Sequence, residues 1–152
     1  MYHRNMVTPQ HLENALKICV KAHDGQIDRD GFPHSFHCIR VAQAQKTPYR
    51  TLLGLLHDVL EDGGETWYIT LVEEFGQEVV GKLLLLRHTP KFVVGKKTSY
   101  MNYIKKLCED EDCMHVKMAD IKDNMRPERR DKRTRKKAEL YGEAFDYIRS
   151  QL

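Results

Sequence analysis

An all-α domain is what this 152-residue sequence predicts, and three observations carry the prediction. No stretch alternates apolar and polar residues for long enough to make a sheet. Apolar residues recur instead at helical spacing in one segment after another. Between the segments stand residues that start and stop helices, such as Thr8-Pro9, Thr47-Pro48 and Gly63-Gly64. The expectation is one domain over residues 1–152, a bundle of seven to eight helices.

Thr8-Pro9 supplies cap and first residue of a helix with Leu12, Ala15, Leu16, Cys19 and Val20 on one face, ending near His23. Turn signals follow at Asp24-Gly25 and Asp30-Gly31-Phe32-Pro33. A second helix is expected from Ser35 to Gln45. Thr47-Pro48 opens a third, which Gly63-Gly64 ends. Thr70-Leu-Val-Glu73 has capping-box spacing and should start a short helix ending at Phe75-Gly76. Gln77 to Arg87 follows, with Val79, Val80, Leu83, Leu84 and Leu86 apolar. Thr89 to Lys97 reads as a loop. Ser99 to Cys108, Asp112 to Met125 and Arg129 to Leu152 complete the bundle.

At 41% hydrophobic and 31% charged residues the chain has the make-up of a folded soluble protein rather than a disordered one. No apolar run approaches the roughly 20 residues of a membrane span, and no hydrophobic signal region opens the sequence. A cytoplasmic protein without a membrane partner is expected. Cys19, Cys38, Cys108 and Cys113 form no C-x-x-C pair, which reads as reduced, structural thiols. The net charge of +3 is uneven: Arg126 to Lys137 holds eight Lys/Arg against Glu128 and Asp131, a local +6 that leaves −3 elsewhere. Such a block suits nucleic acid or phosphate groups. It equally suits a solvated helix start, so nucleic acid is not the expected partner.

Chemistry concentrates in Leu52 to Asp62. At 100° per residue, Leu52, Leu53, Leu55, Leu56, Val59 and Leu60 share one arc, and His57, Asp58, Glu61 and Asp62 share the opposite one. Three carboxylates and an imidazole in two turns, with no lysine or arginine among them, repel one another. A bound cation reverses that sign. A His-Asp doublet alone is weak, since His23-Asp24 is another. The leucine-flanked setting and the carboxylates one turn later raise its interest. Further ligands must come from other helices. His37, in Phe36-His37-Cys38-Ile39, and Asp120, the one carboxylate on the apolar turn Val116 to Ile121, are the candidates. From spacing alone two other readings stand: a hydrogen-bonded core His37, and an Asp120 paired with an arginine or lysine.

Several motifs fall in a familiar order. They are Ala22-His23-x-Gly25-Gln26-x-Asp28-x-x-Gly31-x-Pro33-x-x-x-His37-x-x-x-Val41-Ala42, then Leu-Leu-His57-Asp58-Val-Leu-Glu61-Asp62, then Phe75-Gly76, then Val116-Lys117-x-Ala119-Asp120-x-x-x-Asn124-Met125. This pattern, from Ala22 to Arg126, resembles the HD-domain phosphohydrolases, specifically the hydrolase domain of the RelA/SpoT type and its small single-domain relatives. The resemblance implies one divalent ion, usually Mn²⁺, held by His37, His57, Asp58 and Asp120. It also implies functional roles for Glu61, Asp62 and Asn124. Two imidazoles and two carboxylates suit Mn²⁺, Fe²⁺ or Zn²⁺ better than Mg²⁺. Glu61 and Asp62, each one turn beyond a ligand, are placed to orient or deprotonate water. Substrate phosphates would meet Arg29, Lys117, Lys122, Arg126 or Lys137, and Tyr141 would touch a base or ribose.

The sequence departs from the family's pattern in places. Only Arg29 is basic in Ile27-Asp28-Arg29-Asp30, Cys38 replaces the usual proline and His34 the usual tyrosine. The expected function is hydrolysis of a nucleotide, in its most specific form removal of the 3′-pyrophosphate of guanosine tetraphosphate (ppGpp). The alternatives are a phosphatase or pyrophosphatase of another small phosphorylated metabolite, and a nucleotide sensor without turnover.

Overall fold

The computed structural model describes residues 6–28, 30–88, 96–127 and 132–152, the side chains of 96–98 and 132–136 excepted. Eight helical segments follow in order: α1 Pro9–Ala22, α2 Ser35–Gln43, α3 Pro48–Leu56, α4 Val59–Asp62, α5 Trp67–Leu86, α6 Lys96–Leu107, α7 Glu111–Asn124 and α8 Lys132–Gln151. Among the described residues there is no strand, only an isolated bridge between Ile27 and Pro33. The expected all-α class is the observed one. Phe92-Val93-Val94 and most of the loop around them lie outside the described residues, as do Arg29 and part of the basic block.

α3 is the axis of the bundle and packs against α1, α2, α5 and α7. It starts at the predicted cap, where the Thr47 side chain accepts from Arg50 N and Pro48 needs no donor. Tyr49 and every residue from Leu52 to Leu56 are buried, so only the first turn of this helix reaches water. Its approach to α2 depends on Gly54. A Cβ there would stand 2.8 Å from Ala42 Cα, closer than packed atoms come. The two backbones touch beyond His37 on α2 and one turn before His57 on α3.

Four expectations for individual elements need correction. The third helix does not run through to Gly63. It breaks at His57-Asp58, and α4 is a separate single turn. The His57 ring donates from Nδ1 to Gly54 O at 2.6 Å, the carbonyl that an unbroken helix would offer to the Asp58 amide. The helix placed at Thr70 already begins at Trp67, and Thr66 rather than Thr70 precedes it; α5 then turns sharply at Gly76, at φ 85° and ψ 169°, near the expected boundary. α2 ends at Gln43, not Gln45. On α1 the buried stripe is Ala15, Cys19 and Ala22, while Leu16 and Val20 face outward. The Thr8 cap is present, with Thr8 and His11 exchanging side-chain to backbone bonds.

Candidate metal centre

α2, the α3–α4 break and α7 each deliver one part of a buried cluster. His37 leaves the first turn of α2, His57 and Asp58 occupy the break, and Asp120 leaves the third turn of α7. His37, the His57-Asp58 pair and Asp120 sit far apart in sequence and meet in space. Asp120 Oδ1 lies 3.0 Å from His37 Nε2 and 3.6 Å from His57 Nε2. Asp58 Oδ2 lies 3.4 Å from His57 Nε2 and 3.7 Å from His37 Nε2. All four residues are buried.

The outer atoms of these side chains are already engaged, which aims the inner ones. His57 Nδ1 is committed to Gly54 O, and His57 Nε2 is buried without a hydrogen-bond partner. His37 Nδ1 donates to Asp123 Oδ2 at 2.6 Å, so its Nε2 faces the cluster. Asp123 is itself gripped by Arg40, at 2.7 and 3.2 Å, and paired with Arg126 at 3.0 Å. Asp120 Oδ2 accepts from Lys117 at 2.7 Å, and its Oδ1 accepts from Asn124 at 3.0 Å. The lysine partner considered for Asp120 is therefore present. It occupies one oxygen and leaves the other among the imidazoles.

Electrostatics describe a site that demands positive charge. Burial opposes charge on His57, yet the Asp58 and Asp120 carboxylates beside it push its pKa up to about 10. Burial likewise opposes charge on His37, and its bonds to Asp120 and Asp123 prevail, raising it. Asp58 is held well below the usual carboxylate range, against its burial, by His57 and the His34 bond. Asp120 is held down mainly by Lys117 and the two histidines. In the protein alone, protons on the imidazoles supply the charge that the carboxylates require. His37, His57 and Asp120 each bring one ligand atom, all within 4.8 Å of one another, and could hold a metal ion in place of those protons.

Glu61 and Asp62 stand at the outer edge on α4, both open to water. Partial desolvation at the rim of the cluster and the charge of Asp58 push the Glu61 carboxyl up. Asp62 is raised for the same reasons. His34 Nε2 joins the two acidic levels, 2.9 Å from Asp58 Oδ2 and 3.4 Å from Asp62 Oδ2. The remaining predicted residues are dispersed. Lys117 and Asn124 are engaged with Asp120. Lys137 is exposed on α8, and Tyr141, half-buried, has its ring 6.1 Å from that of Tyr100. Lys122 is exposed, Arg126 pairs with Asp123 and Asp30, and Arg29 lies outside the described residues.

Asp123 and Arg40 adjoin the cluster and were not singled out in the sequence, and His34 was noted only as a departure from the family's pattern. Asp123 was findable, because it lies three residues after Asp120 and so shares its helix face. The same spacing reaches Arg40 and His34, which stand three residues after and three before His37.

No family model matches the chain. A guanosine-3′,5′-bis(diphosphate) 3′-pyrophosphohydrolase of Spiroplasma citri is 28% identical over 93% of this chain and 21% of its own length. A putative chloroplastic GTP diphosphokinase of Arabidopsis thaliana is 31% identical over 73% of this chain and 12% of its own. The chain thus spans about a fifth or less of the curated relatives it matches. A solved structure described as a metazoan ortholog of SpoT that hydrolyses ppGpp superposes with a TM-score of 0.77 at 19% identity, covering 95% of this chain and 88% of that one. The chain is a distant homologue of the SpoT/RSH hydrolase domains. Its helices have the arrangement of that HD-domain fold, and the His/Asp cluster lies inside it. No described helix is long and apolar enough to cross a membrane.

Proposed function

We propose that this protein is a metal-dependent phosphohydrolase of a nucleotide, and that its specific reaction is removal of a 3′-pyrophosphate from ppGpp or a close analogue. The observation that carries the reading is His57 Nε2: a buried, unpartnered nitrogen, aimed by the Gly54 bond at two carboxylates and a second imidazole. Its two nearest carboxylates stand at 3.4 and 3.6 Å, too far for a short hydrogen bond and spaced so that an ion could enter between them. The homology to SpoT/RSH domains supports the substrate class.

His37, His57, Asp58 and Asp120 are the residues that would hold the ion. Mn²⁺ fits the nitrogen and oxygen donors, as do Fe²⁺ and Zn²⁺. A divalent ion there supplies Lewis acidity toward a phosphoryl oxygen and makes water a better nucleophile near neutral pH. Asp123 fixes the ring of His37 through Nδ1, and Gly54 O fixes that of His57, so both rings keep Nε2 inward without rearrangement. Lys117 and Asn124 hold the Asp120 carboxylate in one orientation. Glu61 and Asp62 move the proton at the mouth of the site. Both lie on the turn that follows His57 and Asp58, within reach of water at the mouth of the cluster. Lys137, Tyr141 and Arg29 are assigned to the phosphates and the nucleoside.

The test is a purified, Mn²⁺-loaded protein offered ppGpp, nucleoside di- and triphosphates and NADPH, with phosphate and pyrophosphate read separately. Pyrophosphate release from ppGpp, abolished by Asp120→Asn, is the expected result. Phosphate release from another member of the panel would move the assignment to that metabolite. Metal binding with no release from any of them would make the protein a sensor.

A further inference from the structure

A second group of ligand atoms lies beside the first and differs from it in chemistry. Cys19 on α1, His23 at the C-terminal cap of α1 and Cys38 on α2 bring two sulfurs and an imidazole nitrogen within 4.8 Å of one another. Cys19 and Cys38 are completely buried and His23 is 3% exposed. Both thiols are free, so the pair is not closed as a disulfide. His23 is aimed as a ligand would be: Nδ1 bonds Gln26 Oε1 at 2.9 Å, and Nε2 is buried with no partner. Gln26 is held in turn by the Asp62 carbonyl at 2.7 Å, which fixes the histidine from behind. An orphaned imidazole nitrogen beside two interior thiols is costly unless something binds there.

We propose that Cys19, His23 and Cys38 form a second metal site, separate from the His37/His57/Asp58/Asp120 cluster and selective for Zn²⁺. Two thiolates and an imidazole are the donors of tetrahedral zinc centres, with metal–sulfur distances near 2.3 Å and metal–nitrogen distances near 2.0–2.1 Å. Those lengths separate the two sulfurs of a tetrahedral site by roughly 3.8 Å, so closing onto an ion moves the present atoms by about an ångström or less. Thiolates disfavour Mn²⁺, whereas the nitrogen and oxygen donors of the first cluster accept it. The fourth position opens toward His34 and Asp58, whose ligand atoms lie within 4.8 Å of the Cys38 sulfur. Two thiolates neutralise the ion, so the new site adds no net charge beside Asp58. Its effect is to tie α1 to α2 one residue from His37. This proposal stands independently of the phosphohydrolase reading.

The experiment uses reduced, metal-stripped full-length protein titrated with Co²⁺, which replaces Zn²⁺ and reports thiolate ligation by its sulfur-to-metal charge-transfer absorption. Wild type should show that band and bind about two equivalents, one per site. Asp120→Asn should lose one equivalent and keep the band. His23→Gln and Cys19→Ser should lose the other equivalent and with it the band, and Zn²⁺ should displace the thiolate-bound cobalt. Wild type that binds Co²⁺ without the band overturns the proposal, as does a band that survives replacement of both Cys19 and Cys38 by serine. The wild-type spectrum decides even if a variant fails to fold. Loss of phosphohydrolase activity alone counts for neither site.

Discussion

α7 carries buried carboxylates at both ends, and the two ends are satisfied in opposite ways. In its first turn Asp112 meets Arg50 at 2.9 Å and Lys82 at 3.3 Å, while Lys82 also bonds Asp110. Permanent cations face the acid there, and that end works as a clamp between α3, α5 and α7. In its last turns Asp120 and Asp123 face His37 and His57, residues whose charge depends on a proton. Lysine and arginine are present at this end as well, but on the outer oxygens of Asp120 and Asp123. A closed ion cluster stabilises a fold. A cluster of carboxylates facing imidazoles could hold a metal ion in place of those protons.

The widest gap between the two ends should come from removing one carboxylate from each. Asp120→Asn keeps the volume and most of the hydrogen bonding and should lower kcat/KM by at least roughly 10³-fold, about 4 kcal/mol of barrier. Near-normal turnover in that variant would remove Asp120 from the site. Asp112→Ala should do the reverse. Arg50 keeps Glu111 and Lys82 keeps Asp110, so the loss should be about 1–3 kcal/mol in urea unfolding, with kcat of the folded protein unchanged. If Asp112→Ala also lowers kcat, the two ends of α7 are not independent.

Asp123→Asn tests the support behind His37. The ring loses an ionised acceptor, and metal affinity should fall roughly 10–100-fold while the fold persists, as read by equilibrium dialysis. An unchanged affinity would reduce Asp123 to a partner of Arg40. The pH dependence is a smaller effect, and its sign is fixed. The folded pKa of His57 is raised from 6.5 to about 10, so its contribution to the metal-free protein is complete below pH 6.5 and is lost as pH rises through about 10. The metal needs the neutral ring, so affinity should increase over the same interval. Unfolding curves with and without Mn²⁺ at pH 6 and pH 9 would show the gap widening; a constant gap would mean His57 gives up no proton to the ion. The least effect is expected at Glu65→Ala, where an exposed pair with Arg87 is lost and unfolding should change by no more than ~0.5 kcal/mol.

The fold and the centre of the site were legible for a physical reason. Helical spacing, proline starts and glycine stops are local properties of the chain, and they place the helices to within a few residues. His37, His57, Asp58 and Asp120 drew attention as titratable groups in apolar settings, but spacing left other readings of His37 and Asp120 open, and only the family resemblance grouped the four. The break at His57-Asp58 was not, since it arises from a side chain taking a backbone acceptor, Gly54 O, which no periodicity records. Thr70 looked like a cap and is helical, because tertiary packing of α5 extends it back to Trp67. Lys117 and Asn124 read as ligand contacts from their positions near Asp120, and the structure engages both with Asp120 itself. His34 and Cys38 registered only as departures from a pattern, yet both face the corner between the two clusters.

Gly54 bears on how such a protein tolerates sequence drift. The distance between the helices that deliver His37 and His57 is set by backbone meeting backbone at Ala42, through the absence of an atom. Leucines and valines elsewhere in the interior can exchange for one another without altering that contact. A lineage can therefore replace most of its core while the gap between the two histidines stays the same, provided residue 54 acquires no side chain.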